Sequence, residues 1–207
     1  MTIRDAYNAW AATYDTDRNL TRDLDAQVTR ATLAALPATR ILELGCGTGK
    51  NTAFLAGIGA RVLALDFAEG MIRQAQARVL ATHVAFAVAD LTQPWPVAAG
   101  SVDLIVCNLV LEHIADLDFI FAEAARCLAP GGRFFVAELH PFKQYQGSKA
   151  AYGPQQARVP IPAFVHHISA FLDAATAAGL TLLSLKEWWH AEDAQAAPRL
   201  VSFLFQK

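Results

Sequence analysis

The sequence holds only three cysteines, Cys46, Cys107 and Cys127, and no two stand in a C-x-x-C pair. The usual zinc and dithiol signatures are therefore missing, and small buried thiols are the expected state. His113, His140, His166 and His167 fall in no recognised ligand spacing, so no metal site is expected. Charge is sparse: 17 Lys and Arg oppose 19 Asp and Glu, for a formal net charge of −2. No dense basic cluster occurs, which argues against a nucleic-acid partner, because neutralising phosphates requires basic surface. Hydrophobic residues make up 54% of the chain, much of it alanine, yet no uninterrupted apolar run approaches the length of a membrane span. Arg4 and Asp5 stand where a signal peptide would need apolar residues. An odd number of cysteines without such a signal fits a cytoplasmic protein without a membrane partner. The 207 residues suit a single domain with a real core.

The most informative segment is Ile41-Leu42-Glu43-Leu44-Gly45-Cys46-Gly47-Thr48-Gly49. It reads as a buried strand with an acid near its end, followed by a turn with three glycines. Asp66 closes the next apolar run, 61–65. Glycines let backbone N–H groups come close to a ligand, and a carboxylate at the tip of the second strand is placed to accept from ribose hydroxyls. An adenosine-containing cofactor follows. A dinucleotide fingerprint starting at Gly45 needs its third glycine at position 50, where Lys50 stands, and starting at Gly47 puts Thr52 there. Glu43, two residues before Gly45, would repel a pyrophosphate but favour an ammonium group. That fits S-adenosylmethionine, which has an amino-acid end and a sulfonium but no phosphate. Taken by itself, the loop also fits a tight strand-to-helix turn without a ligand.

Strand and helix signals alternate along the chain. Leu24, Val28, Ala31 and Ala35 recur at helical spacing before Pro37. Strands are expected at 40–44, 61–65, 83–88, 102–106 and 133–139, with helices at 50–57, 68–80 and 115–128. Ala68 leaves the helix at 68–80 without a side-chain cap. After a long irregular stretch, a helix at 168–178 precedes strands at 180–187 and 199–205. This is an α/β pattern, a mostly parallel sheet covered on both faces. Ligands bind such sheets beyond the C-terminal strand ends, the edge on which Gly45, Asp66, Asp90 and Asn108 fall.

Positions 41–49, with Asp66, Asp90-Leu91, Val102-Asp103-Leu104-Ile105 and Leu128-Ala129-Pro130-Gly131-Gly132, resemble the class I S-adenosylmethionine-dependent methyltransferases. The nearest flavour is their small-molecule branch, the type 11 domain of ubiquinone/menaquinone- and biotin-pathway enzymes. The motifs occur in order over about two thirds of the chain. The resemblance implies a Rossmann-like three-layer sandwich with a seven-stranded sheet of order 3-2-1-4-5-7-6, its last strand antiparallel. It divides the single domain into a helical cap (1–37), a cofactor-binding core (38–139), a substrate lid (140–166) and a C-terminal helix and strand pair (167–207). It places Asp90 at the adenine amino group, with the Leu91 backbone at the ring and Met71 beneath. Gly45, Cys46, Gly47 and Gly49 form the cofactor turn, and Tyr14 and Phe67 join the cofactor-binding set. The Asn108 carbonyl would accept from the ammonium end, and Leu109 would pack near the methionine moiety. Trp95 is either apolar cover or a surface aromatic.

Methyl transfer asks mainly for alignment, which supplies about 7–11 kcal/mol in a well-organised site. A hydroxyl or protonated amine acceptor also needs a base, whereas an anionic acceptor needs none. His140, after the fifth strand, is the expected base, and His113 is its competitor and a cofactor-pocket contact. The long stretch 141–165 carries Phe142, Tyr145, Tyr152 and Phe164, stiffened by Pro154, Pro160 and Pro162. Tyr145, His166 and His167, with Tyr7 and Trp10 from the N-terminal region, are expected around a small-molecule acceptor. The product would be S-adenosylhomocysteine. Two other readings stay open: a methyltransferase acting on a macromolecule such as tRNA or protein, and a silent S-adenosylmethionine-binding regulator. Acceptor and oligomeric state are not legible in the residues.

Overall fold

A computed structural model of the chain describes residues 2–153, 159–193 and 197–207. Pro154 and part of the expected lid fall outside the described residues. The strands β1 (Arg40–Leu44), β2 (Arg61–Asp66), β3 (Val84–Val88), β4 (Val102–Asn108) and β5 (Leu128–Leu139) pair in parallel. Short strands β6 (Ala151–Tyr152) and β7 (Val159–Pro160) pair only with each other. β8 (Thr181–Trp188) and β9 (Leu200–Gln206) complete the main sheet, whose order is β3-β2-β1-β4-β5-β9-β8. β9 runs antiparallel to both neighbours. Counting only strands of this sheet, the order is the expected 3-2-1-4-5-7-6.

Helices α1 (Ile3–Trp10), α2 (Leu20–Leu33), α3 (Lys50–Ile58), α4 (Glu69–Arg78), α5 (Leu117–Cys127), α6 (Pro141–Tyr145) and α7 (Ile168–Ala177) surround the sheet. Alternation of side chains along each strand assigns the faces. Leu42, Leu44, Ile105, Cys107, Phe134 and Val136 pack with α5 and α7. Ile41, Leu104, Val106, Phe135 and Ala137 pack with α2 and α3. Glu43 shares the parity of Ile41, so its carboxyl is delivered under α3. The three cysteines are buried and free.

Three expectations change. The fifth strand begins at Leu128 rather than at position 133, because Leu128 already pairs with Val102. A register shift between Val102 and Leu104 absorbs Pro130-Gly131-Gly132, where Gly131 has φ +75°. The stretch expected to be irregular contains α6, capped by the His140 ring, which accepts from the Phe142 N–H at 3.2 Å. Trp95 is buried, its indole donating to the Leu91 carbonyl at 3.1 Å, so it props Leu91 from behind and is neither pocket cover nor a surface aromatic. No described helix is long and apolar enough to cross a membrane.

Candidate active site

The C-terminal strand ends open into a cavity of about 590 Å³, within the range of about 300–1,000 Å³ usual for small-molecule sites. The loop after β1 forms its floor. Gly45 has φ +66°, and a Cβ there would lie 2.2 Å from Val110 Cγ2, so only glycine lets the β1 and β4 loops meet. Asp66 braces the loop, its Oδ2 accepting from the Gly47 N–H at 2.9 Å and its Oδ1 from the Ala68 N–H at 2.8 Å. The second bond fixes the residue before α4, whose first-turn Gly70 N–H is taken by the Asn8 side chain at 2.7 Å. Across the cavity, Leu109 is a non-glycine residue at φ +56°. It is held there by Glu138 of β5, whose Oε1 accepts from the Val110 and Leu111 N–H groups, each at 2.9 Å.

The cavity is acidic beneath. Glu43 accepts from Thr52 Oγ1 at 2.5 Å, and Asp25 of α2 accepts from Asn51 Nδ2 at 2.8 Å and Asn108 Nδ2 at 2.6 Å. Loss of water pushes Glu43 up to about 8, with Asp25 and Asp66 adding repulsion. Burial likewise raises Asp25 to about 6, Glu138 to about 8 and Glu112 to about 7. The Asn108 Oδ1 is buried without a described partner. A cation entering here would meet carboxyl groups that lack one. On the upper wall, His113 Nδ1 lies 2.9 Å from the Pro162 carbonyl, which can only accept, so Nδ1 carries the proton. Nε2 is left to accept from the Tyr7 hydroxyl at 2.7 Å. Burial lowers the His113 pKa, keeping the ring neutral at neutral pH.

Residues 42–136 match the family model described as "Methyltransferase domain". These residues form a methyltransferase domain. The chain is 39% identical over 139 residues to a biotin biosynthesis bifunctional protein BioHC of Cellvibrio japonicus, covering 67% of this chain and 27% of that protein. It is 31% identical over 174 residues to a malonyl-[acyl-carrier protein] O-methyltransferase of Hahella chejuensis, covering 83% and 59%. The chain thus spans less than two thirds of these relatives. The N-methyltransferase NodS of Bradyrhizobium japonicum, solved with S-adenosylhomocysteine, shares the fold at a TM-score of 0.75 and 20% identity, covering 100% of this chain and 99% of that one.

Within this methyltransferase domain, the cavity brings together Tyr14, Glu43, Gly45, Cys46, Gly47 and Asp66 with Phe67, Met71, Asp90, Leu91, Asn108, Leu109, His113 and Tyr7. Gly49 is outside it. At φ +80° it starts α3, where a Cβ would lie 3.1 Å from Ala75, so its role is to turn the chain and admit α4. His140 is not at the cavity either. Its side chain is 1% exposed, Nε2 is 2.9 Å from Glu187 and Nδ1 is taken by Phe142, so neither nitrogen is left for an acceptor. His166 pins the Leu111 and Ile114 carbonyls, and His167 pairs with the Tyr145 hydroxyl, all three residues away from the cavity. Trp10 lines a separate recess.

Sequence reasoning missed Asp25, Arg22 and Arg4, all of which line the cavity. Asp25 and Arg22 sit in α2 among other polar residues, with nothing in their spacing to set them apart. Arg4 reaches Asp90 at 3.3 Å and covers the Phe67 ring. Glu138 was visible only as part of the fifth strand.

The raised carboxyls make stability depend on pH. The folded chain binds more protons than the unfolded chain between the ordinary 4.5 of Glu138 and its folded value of about 8. Stability therefore falls as pH climbs through that window. Glu138→Gln keeps an acceptor for both N–H groups and removes the charge. It should gain on the order of 2 kcal/mol at pH 8 and little at pH 5 in urea unfolding. An equal effect at both pH values would show that Glu138 titrates normally.

Proposed function

We propose that the chain transfers a methyl group from S-adenosylmethionine to a small-molecule acceptor in the cytoplasm. The observation that carries this reading is the buried Glu43–Asp25 pair, under the same cavity that Asp66 and the glycine loop border. When bound, the cofactor supplies an electrophilic methyl on a sulfonium. Glu43, Asp25 and Asn108 attract the ammonium of its amino-acid end. Arg22 and Tyr14 lie beside them to receive its carboxylate, and Arg22 has no ion pair among the described residues. Asp66 accepts from the ribose hydroxyls, Asp90 and the Leu91 backbone from and to the adenine, while Phe67 and Met71 pack on the ring. The match to named methyltransferases supports the reaction class, and three buried free thiols support a reducing compartment.

Tyr7 and His113 are the proposed proton acceptor, in place of His140. The fixed tautomer leaves Nε2 to take a proton that arrives at the Tyr7 oxygen, and the lowered pKa keeps that nitrogen free at neutral pH. The segment 140–166 is read as the acceptor lid, with the Pro162 carbonyl orienting His113.

Calorimetry tests the cofactor assignment: S-adenosylhomocysteine should bind in the micromolar range and NAD not measurably. Asp66→Ala removes the ribose acceptors at about 1.5–3 kcal/mol per charge-assisted bond and should weaken binding at least about tenfold. Tight NAD binding, or an unchanged affinity in the variant, would overturn it.

A screen of acceptors with methyl-labelled cofactor tests the reaction. With a hydroxyl or amine acceptor, His113→Gln should cut turnover by about 10²–10⁴-fold. Near-normal turnover would rule the histidine out as the base.

A further inference from the structure

Beside the main cavity lies a second recess of about 130 Å³, with Tyr7, Tyr14, Arg22 and Leu109 shared between the two. Its other walls come from α1, the start of α2, Glu112 in the turn after β4, the end of β5, α6 and the chain after it, and Arg199 just before β9. Besides Arg22, which is assigned above to the cofactor's carboxylate, three cations converge there, Lys143, Lys149 and Arg199. The side chains of Lys143 and Arg199 are only 15% and 18% exposed. A single buried acid, Asp193, serves both, at 3.8 Å from Lys143 and 3.0 Å from Arg199 Nε. Lys149 is exposed and has no ion pair among the described residues. Two further wall residues hold buried polar atoms without a described partner, the Trp10 indole N–H and Glu112 Oε2.

Cations in excess over acids, half withdrawn from water, together with an orphaned indole donor, call for an anion. Resting on the methyltransferase reading above, we propose that this recess holds a carboxylate group of the methyl acceptor. Asp193 cancels one of the three positive charges, and the acid Glu112 shares the wall, so a monoanion suits the recess better than a phosphate dianion. Burial holds Glu112 at about 7, so near neutral pH its carboxyl is protonated about half the time and can donate to a carboxylate oxygen. The small volume admits one functional group, with the rest of the acceptor extending past Tyr7 and Leu109 toward the main cavity. A carboxylate gripped here would set the acceptor's register against the Tyr7–His113 pair.

The test uses protein saturated with S-adenosylhomocysteine, titrated by ligand-observed NMR with acetate, hexanoate and benzoate, with their neutral amides, and with inorganic phosphate. At least one acid should bind about tenfold or more tighter than its amide, and tighter than phosphate. Lys149→Gln, at an exposed position that leaves the fold intact, and Lys143→Gln should each erase most of that preference. The affinity for S-adenosylhomocysteine should stay within about threefold of wild type, because neither lysine lines the main cavity. Absence of acid binding, equal binding of acids and amides, stronger phosphate binding, or a preference unchanged in both variants would each overturn the proposal. Failure of S-adenosylhomocysteine itself to bind would instead overturn the cofactor assignment, and it is read first.

Discussion

Carboxyl groups withdrawn from water at the C-terminal edge of the sheet are the constraint on which the site depends. An acid there must find donors, and each one finds them on a neighbouring element. Asp66 of β2 takes N–H groups from the glycine loop and from the start of α4. Glu43 of β1 takes the Thr52 hydroxyl of α3, and Asp25 of α2 links α3 through Asn51 to β4 through Asn108. Glu138 of β5 holds the loop after β4 in its left-handed turn. The loops that shape the cavity are therefore tied by the groups that make it acidic. None of these four acids has an ion pair among the described residues, which is the setting that the proposed ammonium-bearing ligand would complete.

The N-terminal helix covers this floor through the groups assigned to the adenosine end. Arg4 reaches Asp90 and lies over Phe67, and the Asn8 side chain accepts from the Gly70 N–H at 2.7 Å. Tyr7 of the same helix meets His113, whose ring is oriented from the other side by Pro162. One element thus serves both spaces: α1 closes over Asp90 and Phe67 on one side and borders the cationic recess on the other. Covering the main cavity and walling the recess are one packing event.

The sheet was legible because its signals are local. Apolar runs, the glycines at 45, 47 and 49, and the strand-tip acids Glu43 and Asp66 each declare themselves within a few residues. Even the missing cap at Ala68 could be read, although its substitute, the Asn8 side chain on the Gly70 N–H, could not. His140 shows where such reading stops. Its place after the fifth strand is on the ligand edge, but the side chain turns back to cap α6 and meet Glu187, a residue 47 positions away. Asp25 and Arg22 were invisible for the converse reason, since they come from a helix with no motif and reach the site only through tertiary packing. The cationic recess draws on residues from position 7 to position 199, and no spacing rule connects them.

The central claim is that buried Glu43 gives up a proton when an ammonium group arrives. Calorimetry of S-adenosylhomocysteine binding at pH 7, in two buffers of different ionisation enthalpy, measures that proton directly. With Glu43 resting at about 8, most molecules hold the proton beforehand, and an adjacent ammonium drives the carboxyl well down. The expected result is release of roughly half to one proton per ligand bound, lost in Glu43→Gln. Binding with no proton released, or the same release in Glu43→Gln, would contradict the account.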